Sequence, residues 1–275
     1  MSRAIIPALL LLALAGPLEA QVCRPGAGSN EARTLALQSV PIAFSAATAP
    51  ETNQRIEFGF EGSYLPRIDA ATATPTICRP GKGPEHTDFL FALPRPRLSL
   101  PLPGGLALQA SWIPPVRVNG VKANLFGFSL SKVFSLRDDV AAAVGAHATV
   151  GSIRAPITCD QDALGDPTSE CFRGTRSDDE YSPNIYGADL SVGFGRGAFR
   201  PYVGGGYNRL DPRFQVNFRN QFGSVDRTRV EVGLNRAVLF GGASWQLQDR
   251  LGLTGEVYAA PSDAVTARVV LRVRR

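Results

Sequence analysis

The side chains of this sequence best suited to chemistry are charged, and they recur at even spacing. Arg55, Glu57 and Glu61 fall in one run, Asp189 in a second, Glu256 in a third, and Arg268, Arg272 and Arg274 in a fourth. In extended chain, residues separated by even numbers share a face. Opposite charges gathered on such a face can satisfy one another as an ion-pair ladder where water is scarce, or can line a constriction that sorts solutes by charge. His147 sits on a similar small-residue face. A hydrolytic reading would need a nucleophile and a carboxylate placed around it, and neighbouring Thr149 and Ser152 form no such motif. A hydrogen-bonded histidine is expected instead, with no catalysis and no cofactor.

Three carboxylates near a glycine, Asp160, Asp162 and Asp166, have the look of a calcium loop. The spacing fails at the fifth position, which is Leu164, and at the twelfth, which is Cys171. A solvated acidic loop is the plainer reading. No C-x-x-C motif is present, so a structural zinc site is not expected. The four cysteines allow three pairings. Cys159 and Cys171 bracket a short polar loop and form the natural local pair, leaving Cys23 with Cys78. Both of the latter open a Cys-Arg-Pro-Gly stretch, which reads either as two similar turns or as a matched, linked pair of them.

These residues are carried by elements with a period of two. Phe58, Phe60 and Tyr64 alternate with Glu57, Gly59, Glu61 and Ser63. The same pattern fills 105–113, 121–134, 138–153, 184–195, 250–260 and 264–274, and two longer extended stretches span 199–219 and 226–247. Over 96–102 the pattern is weaker, because Pro96 and Pro101 remove ladder donors. In 237–247 the two faces blur, with Val238 and Phe240 on one and Leu239 and Trp245 on the other, as a bulge would produce. No amphipathic helix stands out. Within 34–44, Val40, Ile42 and Phe44 alternate as an additional strand would.

The chain has 275 residues, 44% of them hydrophobic and 19% charged, with a formal net charge of +5 and 28 glycines. Its mean hydropathy is −0.02. The arginines are dispersed, so no nucleic-acid surface is indicated. Residues 1–20 read as a cleaved export signal: Arg3, an apolar run from Ala4 to Ala15, then Leu18-Glu19-Ala20 before Gln21. That run is too short to span a bilayer as a helix. Export makes disulfides possible.

Short turns at 103–105, 135–138, 196–198 and 248–250 alternate with longer polar segments at 66–95, 114–120, 154–183, 217–226 and 260–264. Short-long alternation, with apolar faces about ten residues long, is the pattern of an antiparallel up-and-down transmembrane β-barrel of about ten strands, with 8–12 as the range. Tyr64, Trp112, Phe134, Tyr186 and Phe194 fall where interfacial aromatic girdles would sit. Together with glycine-aromatic stretches such as Arg200-Pro201-Tyr202-Val203-Gly204-Gly205-Gly206-Tyr207, these features resemble the small bacterial outer-membrane barrels, in the broad sense of the OmpA-like and OmpW-like families. The chain ends Val273-Arg274-Arg275, without the terminal aromatic residue usual in such barrels.

The resemblance implies an all-β barrel over 55–275, with 21–54 as an N-terminal arm or lumen plug. It places Arg55, Glu57, Glu61, Asp189, Glu256, Arg268 and Arg272 in the lumen. It implies a non-catalytic protein of the bacterial outer membrane, serving passive solute transport or envelope structure. Its partners would be membrane lipid, lipopolysaccharide, the barrel-assembly machinery and a small solute. The alternative is a secreted or periplasmic all-β ligand-binding protein that turns its apolar faces inward.

Overall fold

The structure is a computed structural model that describes residues 21–51, 55–195 and 197–275; the export signal expected over 1–20 lies outside the described residues. Ten antiparallel strands close into a ring. They are β1 (Glu57–Tyr64), β2 (Ala92–Leu102), β3 (Leu106–Ile113), β4 (Val121–Arg137), β5 (Val140–Ala155), β6 (Ile185–Phe194), β7 (Phe199–Leu210), β8 (Leu234–Gln248), β9 (Leu251–Ala260) and β10 (Ala264–Arg274). Each pairs with the next, and β10 returns to β1 with Arg268 opposite Ser63 and Arg274 opposite Glu57. Closure removes the edges that an open sheet would expose.

The pleat sorts the side chains by type. Phe58, Phe60, Leu130, Val144, Leu190 and Val269 point outward and are roughly half exposed, as are all five girdle aromatics. Glu61, Arg95, His147, Thr254, Glu256 and Arg268 point inward and are buried. Monomeric soluble proteins rarely expose an apolar belt this extensive. No helix of the described residues is long and apolar enough to cross a membrane, a test that leaves strand-built crossings aside.

Three local expectations change. First, β2 runs from Ala92, well before Pro96. Its pairing with β3 begins only at Arg97 opposite Ser111, so Pro94 and Pro96 lie where β2 has β1 alone as a partner. A missing amide there interrupts no two-sided ladder. Second, the bulge expected in 237–247 falls at the very end of that stretch, past the residues whose faces blurred. Val238 and Phe240 face inward and Leu239 and Trp245 outward, and the register shifts only between Gln246 and Gln248. The blur arose because Phe240 is a large apolar residue on the inner face, where its ring stacks on Tyr258 at 6.0 Å.

Third, 34–44 is not a strand. Residues Asn30–Ile42 form a helix, α1, capped at Ser29, whose side chain accepts a hydrogen bond from the amide of Ala32 at 3.1 Å. Alternation of Val40, Ile42 and Phe44 misled because α1 is enclosed on most sides, so no polar stripe marks its period. A single turn, α2 (Ala70–Ala73), lies in the β1–β2 loop.

Candidate functional site

The candidate site is the barrel lumen, and its contents are the chain's own N-terminus. The arm starts at the long-loop end, where Val22–Cys23 pairs in parallel with Arg229–Glu231. That strand continues through Arg213–Gln215 and Asp179–Ser182 to the outer end of β5. A disulfide joins Cys23 to Cys78 in the β1–β2 loop, and a second joins Cys159 to Cys171. From this cap α1 descends into the barrel, and irregular chain carries on past Phe44 to Glu51, near the short turns. Glu31, in the first turn of α1, accepts hydrogen bonds from the amides of Thr76, Ile77 and Cys78 at 2.7–2.9 Å. Burial opposes its charge, yet those amides hold its carboxyl below the usual range.

The wall charges close on the arm. Glu256 pairs with Arg268 at 3.3 Å and accepts hydrogen bonds from Tyr202 Oη at 2.9 Å and Ser45 Oγ at 3.1 Å. Arg268 donates to the carbonyl of Ala43 at 2.9 Å, and Arg95 to that of Ile42 at 2.7 Å. Arg97 donates to Glu61 and to the carbonyl of Ser45. Nearer the short turns, Arg272 bonds Thr48 Oγ1 at 2.9 Å and Glu57 at 3.3 Å, while Arg274 bonds Glu51 at 2.8 Å. Backbone amides of the arm reach the wall too, Phe44 to Thr149 Oγ1 at 2.9 Å and Ala49 to Ser244 Oγ at 3.0 Å. The phenyl ring of Phe44 lies under the Arg97 guanidinium at 4.3 Å. Gly127 makes room for it, since a Cβ there would sit 2.7 Å from the Phe44 ring and 2.5 Å from Ser111 Oγ.

Asp189 serves a different group. It lies 3.0 Å from His147 Nδ1, while His147 Nε2 lies 3.0 Å from Asn208 Oδ1, and Asn208 in turn donates to Tyr258 Oη at 2.8 Å. Ser129 stands opposite His147 across the β4–β5 ladder, but its buried hydroxyl makes no hydrogen bond. The nucleophile-to-base hydrogen bond that a hydrolytic triad rests on is therefore not formed, and both ring nitrogens are already occupied.

Of the residues anticipated for the lumen, Glu57, Glu61, Asp189, Glu256, Arg268 and Arg272 face inward, and the register sets Glu256 directly against Arg268. Arg55 precedes β1, is exposed, and borders a small cleft beside Thr48 and Glu57. Sequence reasoning missed Arg95 and Arg97, hidden by the three prolines of β2, although their spacing by two was a signal. It also missed the hydroxyls of Tyr202 and Tyr258, since tyrosine in such runs reads as apolar.

The acidic loop residues do not converge. Asp160 accepts from the amide of Ala163 and Asp166 from that of Thr168, both at 2.8 Å, each closing its own turn. No group of three metal-ligating side chains forms among the described residues.

A separate cluster joins the outer loops. Buried Arg79 pairs with Glu85, Glu170 and Asp226, which come from three loops. Burial pushes the Glu85 carboxyl up to about 7 against the pull of Arg79. Burial also raises Asp179, which accepts from the amides of Thr158 and Asn217.

No family model and no curated protein matches the chain. Solved structures do. Ail, the attachment invasion locus protein of Yersinia pestis, is 9% identical with a TM-score of 0.31, covering 80% of this chain and 95% of its own. The toluene transporter TodX of P. putida is 12% identical with a TM-score of 0.34, covering 87% and 70%. The outer membrane protein Omp33 of Acinetobacter baumannii is 9% identical with a TM-score of 0.28, covering 80% and 98%. All three are bacterial outer-membrane β-barrel proteins.

Proposed function

We propose that the chain is an integral protein of a bacterial outer membrane whose barrel serves the envelope as a closed wall, without catalysis and without passing solutes along its axis. The observation that carries this reading is the arm: residues 30–50 occupy the lumen and hydrogen-bond its arginines through their own carbonyls. A charged constriction that selects ions needs charges free to face the solute. Here they face the arm and one another.

The apolar belt supports the membrane part of the reading. A secreted binding protein would turn these faces inward, and here they turn outward around the whole ring. Alternate apolar residues over tilted strands are what a bilayer core requires of a barrel. Lipid and lipopolysaccharide are then its surroundings, and the barrel-assembly machinery its route of insertion.

Two measurements test this. Folded protein extracted in detergent should migrate faster on a gel unheated than boiled; a soluble periplasmic protein with no heat shift would overturn the membrane reading. In a planar bilayer the heat-modifiable protein should give no steady single-channel current. Discrete openings from intact protein, with both disulfides formed, would overturn the closed-wall reading.

A further inference from the structure

At the short-turn end of the ring, positive charge outnumbers its partners. Arg200 of β7 and Arg274 of β10 share Glu51, at 3.2 and 2.8 Å. Arg274 also shares Glu57 with Arg272 of β10, the latter at 3.3 Å. Three guanidinium groups thus divide two carboxylates. Asp249, exposed on the 248–250 turn, forms no ion pair with any of them among the described residues. Beside these arginines lies a cleft of about 300 Å³, bordered by all three of them and by Glu51, Gln246 and Asp249. That volume is at the lower end of the range for small-molecule sites. Arg272 is only 5% exposed. Its Nη1 bonds Thr48 and Glu57, but its buried Nε has no acceptor, and Nη2, on the same edge of the guanidinium, makes no hydrogen bond among the described residues. Nε and Nη2 are parallel donors, the fork with which arginine grips a carboxylate. Register explains why that edge is bare. Gly252 of β9 stands opposite Arg272, and Gln246 of β8 stands opposite Gly252. The glycine puts no side chain between them: a Cβ there would lie 3.5 Å from Arg272 Nη2 and 3.6 Å from Gln246 Oε1. Gln246 donates from Nε2 to the carbonyls of Gln248 and Leu251, and its Oε1 accepts nothing.

We infer that the space over Gly252 is a binding site for a small hydroxycarboxylate, its carboxylate in the Arg272 fork and its hydroxyl donating to Gln246 Oε1. Three features support that class. One negative charge balances the one guanidinium that Glu51 and Glu57 leave over, so a cation or a neutral solute gains nothing comparable there. A carboxylate supplies the acceptor that the buried Nε lacks, and an unpaired buried donor is costly. A hydroxyl beside the carboxylate supplies the donor that Gln246 Oε1 lacks, which a plain carboxylate cannot do. In the outer-membrane reading proposed above, the short turns face the periplasm, and the ligand comes from there. The site itself does not rest on that reading, because protein in detergent exposes both mouths of the barrel, and it does not require conduction along the axis.

The test is calorimetric titration of the full chain, folded in a nonionic detergent, with lactate, propionate and methyl lactate. The heat shift of each protein is checked first; its absence in wild type would count against the membrane reading and not against the site. Wild type should bind one lactate per chain, saturably. Propionate, which lacks the hydroxyl, should bind about fivefold more weakly, and methyl lactate, which lacks the charge, should not bind. Arg272→Lys keeps the charge beside Glu57 but removes the fork, and should weaken lactate at least about tenfold. Gly252→Val fills the space without touching a charge and should abolish binding. Gln246→Met should bring lactate down to the level of propionate and leave propionate unchanged, a split that a merely structural role for Gln246 would not produce. No saturable binding by folded wild type, or equal binding of lactate by wild type and Gly252→Val, would overturn the inference. Equal affinity of wild type for lactate and propionate would overturn the role of Gln246 and with it the hydroxycarboxylate class. A variant that lost its heat shift would be replaced by Gln246→Glu, which sets a carboxylate beside the fork and should abolish lactate binding; undiminished binding by that variant would equally overturn the site.

Discussion

Arg268 is wholly buried, and two opposing demands meet on it: its charge is balanced by Glu256, and its two terminal nitrogens also donate to the arm, while its Nε has no partner. Removing one member of such a pair strands the other, which costs about 3–5 kcal/mol. Arg268→Met should therefore lower the urea midpoint of the refolded barrel sharply, and adding Glu256→Met should recover much of the loss; a single variant as stable as wild type would refute the pairing. The pair was legible from sequence because a hairpin centred near Ser262 sets Glu256 against Arg268. Arg95 was not, since proline on both sides masked the strand that carries it. Glu85 answers to pH. With its folded value raised to about 7, it binds a proton more readily folded than unfolded, so its contribution to stability falls as pH rises between about 4.5 and 7. Asp179 is shifted in the same direction and Glu31 in the opposite one, the latter losing its contribution only in stronger acid. Hydrogen exchange of the 156–178 loop should consequently be slower at pH 5.5 than at pH 8, and Glu85→Gln should flatten that difference. Faster exchange at the lower pH, after correction for intrinsic rates, would contradict it.

At the scale of elements, strands could be read because only one of their faces meets an apolar medium, and the pattern of two survives in the sequence. Helix α1 could not, because it is enclosed within the lumen. Its only readable marks were Ser29 as a cap and Glu31 in the first turn. The fit between arm and wall is close. Gly127→Ala places a methyl group against Phe44 and Ser111, so it should loosen the arm without opening the ring. The expected signature is faster proteolysis within 43–51 with an unchanged heat shift; unchanged proteolysis would mean that the wall yields instead. The cap of short strands over the mouth was not foreseen, since two- and three-residue strands leave no period to detect.

For the whole molecule, the two disulfides differ in reach. Cys23 and Cys78 are 55 residues apart and Cys159 and Cys171 are 12 apart, so loop-closure entropy assigns about 4 kcal/mol to the first and about 3 to the second. Cys23→Ser with Cys78→Ser should lower the thermal midpoint more than the corresponding change at 159 and 171. The reverse order would show that the arm is held by its hydrogen bonds alone. The longer link also constrains the order of assembly. The arm runs from the loops to the turns and β1 runs back, so the two form a hairpin whose open end Cys23 and Cys78 tie shut. A hairpin closed in this way can be complete before any other strand is in place. Nine strands can then wrap around a core that is already covalently fixed, and the finished ring never has to admit a loose end.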